Sequence, residues 1–174
     1  MRSISFTGHR KLSEDVTELK KRLYQRLEEE IKNGATDFNA GGAAGFDCLS
    51  AATVLKLREI YPDIKLHLIL PCSNEEQTEK WSEDEKAEFY RILDLADTVE
   101  YTSEHYYNGC MKKRNARLVE LADCCFCYWD GRQRCGTGQT VRMAIEKNIE
   151  VVNLICGLRR CNKQHMAVDF SRKM

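Results

Sequence analysis

The chain has 174 residues, 43% of them hydrophobic, with 27 basic and 27 acidic side chains and so no formal net charge. That length suits one domain able to bury most of its apolar surface, and the balanced charge argues against a dedicated nucleic-acid binder, which carries a basic excess. No apolar run nears the roughly 20 residues that span a bilayer, and the first residues enter a strand pattern with no signal-peptide core, so a cytoplasmic protein without membrane contact is expected.

Ile4 to Thr7 reads as a first strand, ended by Gly8-His9-Arg10. Ser13 is placed to cap a helix running to about Asn33, with Val16, Leu19, Leu23, Leu27 and Ile31 as its apolar stripe and Gly34 as its stop. Thr36 to Ala40 is a second strand. It leads into Gly41-Gly42-Ala43-Ala44-Gly45-Phe46-Asp47 and a helix that is apolar on nearly every side, until Tyr61-Pro62-Asp63 breaks it. Ile64 to Leu70 is a third strand, stopped by Pro71-Cys72. Ser82 and Glu85 then form a capping-box pair for a helix burying Phe89, Ile92, Leu93 and Ala96.

Thr98 to Tyr101 is a fourth strand, followed by a loop rich in Tyr and His. A helix over Met111 to Ala122 precedes the fifth strand, Asp123 to Trp129. A second glycine junction, Cys135-Gly136-Thr137-Gly138-Gln139-Thr140, opens a helix to about Lys147. Glu150 to Ile155 closes the alternation as a sixth strand. Residues 1–156 are thus read as the domain, and 157–174 as a basic, weakly ordered tail.

Nine cysteines raise the question of a metal or disulfide framework. Only Cys124, Cys125 and Cys127 cluster, and alternation along a strand turns Cys124 away from the other two. No metal site or resident cofactor is expected, and the thiols are read as free and mostly buried.

Strictly alternating strands and helices give an α/β protein with a mostly parallel sheet of about six strands and helices on both faces. In such sheets ligands bind beyond the carboxyl ends of the strands, and every unusual polar or glycine motif here follows a strand. Gly8, His9 and Arg10 leave the first strand; Gly41, Gly42, Ala43, Gly45 and Asp47 follow the second; Gly136, Thr137, Gly138 and Thr140 follow the fifth. Glycines admit a ligand close to the backbone, and a helix N-terminus offers unpaired N–H groups to an anion. Arg114 and Asn115 add an orienting pair near the start of the helix between the fourth and fifth strands. These fourteen positions are the expected ligand-binding set. Asp47 in a first helical turn reads first as a cap and second as a ligand-binding or catalytic group, and His9 reads first as a structural hydrogen-bonder.

With those residues assembled, the chain resembles the YpsA-like family. The match runs through Thr7-Gly8-His9-Arg10, Gly41-Gly42-Ala43, Gly45-Phe46-Asp47, Tyr61-Pro62, Pro71-Cys72, Trp81 and Ala96-Asp97. It continues through Tyr107, Gly109-Cys110-Met111, Arg114-Asn115, Asp130-Gly131 and Gly136-Thr137. The resemblance extends to the wider SLOG superfamily, which includes the cytokinin-activating phosphoribohydrolases (LOG) and the DNA-processing protein DprA. It implies a single Rossmann-like domain that binds a nucleotide-derived small molecule, such as ADP-ribose or an NAD-like compound.

Two departures stand out. The family commonly has glycine where this chain has Cys135. The phosphoribohydrolase motif places a catalytic glutamate where this chain has Thr140, and a hydroxyl does not replace that carboxylate. A nucleotide-binding sensor or regulator is therefore the leading expectation. The alternatives are a nucleotide hydrolase relying on Asp47 or Asp130, and a DNA-binding protein. A homo-oligomer is compatible with the sequence.

Overall fold

The computed structural model describes residues 2–155; the expected basic tail, 157–174, lies outside the described residues. The elements follow one another as β1 (Arg2–Gly8), α1 (Val16–Lys32), β2 (Ala35–Ala40), α2 (Phe46–Arg58), β3 (Lys65–Leu70) and α3 (Asn74–Thr78). Then come α4 (Glu83–Leu95), β4 (Thr98–Tyr101), α5 (Cys110–Glu120), β5 (Cys124–Tyr128), α6 (Gly136–Glu146) and β6 (Glu150–Asn153). All strand pairings are parallel, in the order β4-β3-β2-β1-β5-β6. The order reverses at β1, so the switch point lies between β1 and β5, where the crossover helices change faces.

Alternation along the strands builds two cores. Ile4, Phe6, Phe38, Leu66, Leu68, Cys124, Phe126 and Tyr128 face Leu19, Leu23 and Leu27 of α1, Phe46, Val54 and Leu57 of α2, and Phe89 and Ile92 of α4. On the other face Cys125, Cys127, Trp129 and Val151 pack on Val119 of α5 and on Val141, Ala144 and Ile145 of α6. Cys124 thus turns away from Cys125 and Cys127 as the strand period requires, and no metal-holding group of His, Cys, Asp or Glu occurs among the described residues. No helix among them is long and apolar enough to cross a membrane.

Three local expectations are corrected. Asp15, not Ser13, caps α1: its carboxylate accepts from the Thr17 and Glu18 N–H groups. Ser13 instead meets the hydroxyl of Tyr128 through its N–H and its own hydroxyl, at 3.2 and 3.0 Å. Val16, counted in the buried stripe, is 41% exposed because it sits at the first helical position, before the stripe reaches the sheet. Finally, α3 interrupts the loop after Pro71-Cys72, with the Ser73 hydroxyl accepting from the Glu76 N–H. The capping box at Ser82 and Glu85 is present, with both hydrogen bonds formed.

Candidate functional site

The two glycine junctions use their missing Cβ atoms differently. A Cβ on Gly41 would stand 1.6 Å from Arg114 Nη1, and one on Gly42 would stand 2.6 Å from the Leu70 side chain. At Gly45, the N-cap of α2, φ is +84° and a Cβ would meet the Arg10 carbonyl oxygen at 2.2 Å. The first junction therefore admits the protein's own groups. At the second junction a Cβ on Gly138 would likewise collide with the Arg132 carbonyl, at 2.5 Å. Gly136 is the exception: the nearest atom to a Cβ there is Asn115 Nδ2, at 3.9 Å.

Gly136 opens onto a cleft of about 220 Å³ at the switch point, between the end of β1 and the start of α6. Thr7, Gly8, His9, Arg10, Ala43, Asp47, Met111, Arg114, Asn115, Cys135, Gly136 and Thr137 line it. Of the fourteen expected ligand-binding positions, nine lie here. Gly41, Gly42, Gly45 and Gly138 do not line the cleft; each supports it from behind. Thr140 is also outside, because its hydroxyl is turned back to the Gly136 carbonyl at 3.0 Å.

Thr7 of β1, Asn115 of α5 and Thr137 of α6 are each only 6% exposed, line the cleft and form no side-chain hydrogen bond among the described residues. Their polar groups keep contact with the cleft rather than being sealed inside the core, so the cleft wall offers hydroxyl and amide groups free to bond. The α6 N-terminus adds to this. Cys135 caps it, its sulfur accepting from the Gly138 N–H at 3.3 Å, and Gln139 N–H bonds to the Cys135 carbonyl. The N–H groups of Gly136 and Thr137 are left for the cleft, at the positive end of the helix dipole.

Across the cleft, Arg114 reaches from α5 to the first junction. Its Nη1 donates to the Gly41 carbonyl and stands 3.5 Å from Asp47 Oδ2. Both side chains are almost completely buried. Burial drives the Asp47 carboxyl up to about 6; Arg114, the Ala43 and Gly8 backbones and Arg10 pull the other way without overcoming it. Burial also draws the Arg114 guanidinium below its usual value, despite Asp47 beside it. Asp47 Oδ1 and Arg114 Nε are sealed from solvent without a well-aligned hydrogen-bond partner among the described residues, although the Ala43 and Gly8 backbones lie beside the Asp47 carboxyl.

Asp130 does not line the cleft; it anchors one wall. Its Oδ1 lies 2.9 Å from His9 Nε2, and its Oδ2 accepts from Arg132 Nε at 2.7 Å. Burial alone would raise the Asp130 carboxyl, but hydrogen bonds from Arg132 and His9 outweigh it and hold its pKa below the usual range. Arg10 lines the cleft, and its guanidinium carbon sits over the Trp81 ring, 5.9 Å from its centre. Cys72 is fully buried, and burial pushes its thiol upward, which suits a packing role rather than a nucleophile.

Sequence reasoning missed the capping role of Cys135, the His9–Asp130 contact and the inclusion of Met111 in the wall. A larger groove of about 660 Å³ lies between α1 and α2, lined by Lys20, Lys21, Tyr24 and Lys56 among others. It is an open trough between two helices, remote from the strand ends and from the unpartnered polar groups. The cleft at the switch point has the chemistry despite its smaller size.

A doubly wound parallel sheet with a polar cleft at the reversal of strand order defines a Rossmann-like α/β protein. The chain belongs to the YspA SLOG family, whose model matches residues 2–154. Among curated relatives, a UPF0398 protein of Halalkalibacterium halodurans is 29% identical over 110 residues, covering 62% of this chain and 57% of that protein. A UPF0398 protein of Bacillus cereus strain G9842 is 26% identical over 137 residues, 78% of this chain and 73% of the other. The chain thus spans a little over half the length of the first relative.

Among solved structures, DNA processing protein A from Helicobacter pylori superposes with a TM-score of 0.65 at 18% identity, covering 99% of this chain and 74% of that one. That protein is described for its single-stranded DNA binding mode. The structural-genomics target TM1055 gives a TM-score of 0.55 at 17% identity, covering 87% and 73%. At these identities the likeness is one of fold.

Proposed function

We propose that the chain is a cytoplasmic sensor or regulator that binds a nucleotide or nucleotide-derived anion, of the ADP-ribose or NAD-like class, in the switch-point cleft. The observation that carries this reading is that Thr7, Asn115 and Thr137, which form no side-chain hydrogen bond among the described residues, line one cleft with the N-terminus of α6. Gly136 gives a phosphate access to the N–H groups there, and Arg10 lines the same cleft. Membership of the SLOG family adds support from kinship.

Catalysis has less behind it. Asp130 is committed to His9 and Arg132, and the position of the phosphoribohydrolase glutamate is filled by Thr140, whose hydroxyl is already bonded. Single-stranded DNA is the second reading, favoured by the Helicobacter pylori neighbour and opposed by the absence of net charge. Calorimetric titration of the full chain with ADP-ribose, NAD, AMP, cyclic nucleotides and a short oligothymidylate separates these. Saturable binding of a mononucleotide or dinucleotide, weakened by Asn115→Ala, is expected. Binding of the oligonucleotide alone would replace this reading with the second.

A further inference from the structure

We infer that the trough between α1 and α2 docks an acidic amphipathic helix of a partner protein. This surface is separate from the switch-point cleft and does not depend on what that cleft binds. Its rim is cationic: Lys20 and Lys21 of α1 and Lys56 of α2 line the trough, all three exposed. None of the three takes part in an ion pair among the described residues, whereas every other basic residue of α1 does: Arg22 with Glu14, Arg26 with Glu29 and Lys32 with Glu28.

The acids around the trough are already committed. Glu28, the one acid in its lining, accepts from the Tyr61 hydroxyl at 3.0 Å and stands 3.0 Å from Lys32 Nζ. Glu88 of α4, within electrostatic reach of Lys20, accepts from Nε and Nη2 of Arg91, both at 2.9 Å. A chain with no formal net charge thus leaves three free ammonium groups around one depression. The floor is different in kind. Leu49 and Ala52 of α2 and Tyr24 of α1 are half-buried at the outer margin of the larger core. The Thr53 hydroxyl is turned back to the Leu49 carbonyl at 2.8 Å.

Rim and floor together define the occupant. Exposed ion pairs select the charge of a partner and add little affinity each, so apolar side chains seated on Leu49 and Ala52 must supply the rest. Both walls are helices, whose backbone groups bond within the helix, so an extended peptide finds no ladder here. A helix satisfies its own backbone and presents apolar residues at i, i+3, i+4 and i+7, with acids along its flanks. The 13 residues of α2 match a partner helix of about 20 Å. Single-stranded nucleic acid fits less well, because its bases need open aromatic faces. Lys56 Nζ stands over the Tyr24 ring, 5.9 Å from its centre.

The test is selection from a random phage-displayed library of peptides of about 14 residues on the full immobilised chain, with fluorescence anisotropy of the selected peptides. They are expected to carry Asp or Glu beside apolar residues spaced three and four apart, and to gain helical circular dichroism on binding. Affinity for the Lys20→Glu, Lys21→Glu, Lys56→Glu triple variant is expected to be at least ~10-fold weaker than for wild type. The best peptide, resynthesised with Lys in place of its acids, is expected to lose at least ~10-fold against wild type itself, so the outcome does not hang on the variant folding. Basic or uncharged selected peptides, acidic peptides with unchanged affinity for the variant, or no selected peptide at all would overturn the inference. So would oligothymidylate binding lost in the triple variant, which assigns the trough to nucleic acid. A wild-type dimer that becomes a monomer in the variant, read by sedimentation equilibrium, would assign it to a second copy of the chain instead.

Discussion

The junction after β2 and the junction after β5 look interchangeable as glycine-rich strand-to-helix turns, yet they do opposite things with the space that glycine leaves. After β2, the protein fills it: Arg114 occupies the position of a Gly41 Cβ, Leu70 that of Gly42, and the Arg10 backbone that of Gly45. After β5, Gly138 is filled in the same way, but Gly136 faces open space beside Asn115. The difference teaches that a glycine motif marks a close approach without saying what approaches. At one junction the partner is the chain itself, which fixes the geometry of a buried ion pair. At the other the space stays open to the cleft.

The contrast breaks first, and most visibly, in stability. Gly45→Ala is expected to cost about 3 kcal/mol or more, since it combines a 2.2 Å clash with backbone and a φ of +84°. Gly41→Ala is expected to cost about 2–3 kcal/mol, because the Arg114 guanidinium must leave its place. Gly136→Ala, with nothing closer than 3.9 Å, is expected to leave stability within about 0.5 kcal/mol of wild type while weakening phosphate binding. Urea denaturation of the three variants makes the comparison, and similar losses at Gly41 and Gly136 would dissolve it.

A second distinction is in pH dependence, which the first junction alone carries through Asp47. With a folded pKa of about 6 against an ordinary 3.8, Asp47 holds its proton more tightly folded than unfolded. Its contribution therefore favours the folded state at low pH and is withdrawn as pH rises from about 4 to about 6. The stability of wild type relative to Asp47→Asn is expected to decline by on the order of 3 kcal/mol across that window. A difference that is flat, or that rises with pH, would show that Arg114 outweighs burial.

The second junction is sharpened by two smaller effects of opposite kind. Asn115→Ala is expected to weaken ligand binding by about 1–2 kcal/mol, read by calorimetry, with little change in the denaturation midpoint, since its amide forms no hydrogen bond among the described residues. Thr140→Val is expected to do the reverse. It loses about 0.5–1 kcal/mol of stability with the bond to the Gly136 carbonyl, and leaves affinity unchanged.

Local patterning carried the α/β alternation, the parallel sheet, the capping box at Ser82 and the orientation of Cys124, because each depends on spacing along a single element. The short α3 was not legible: five residues give too little periodicity, and its signals were the Ser73 cap and the Glu75 and Glu76 that follow. Ser13 and Asp15 both suit an N-cap by type, and the choice was made by Tyr128, which takes Ser13 from 115 residues away. Position at the strand ends was enough to bring His9, Arg10, Asp47, Arg114, Asn115 and Thr137 to one rim. Which glycines face that rim was not visible in the sequence, because the guanidinium that fills the space at Gly41 comes from residue 114. The His9–Asp130 contact spans 121 residues and has no local signature.

The most direct measurement is a titration of isotopically labelled chain with ADP-ribose, followed through the backbone amides of Gly136 and Thr137 and the side-chain amide of Asn115. Saturable shifts concentrated on those three groups, all fitting one dissociation constant, are the expected result. Shifts confined to Lys20, Lys21 and Lys56 in the α1–α2 trough, or none at all, would contradict the account.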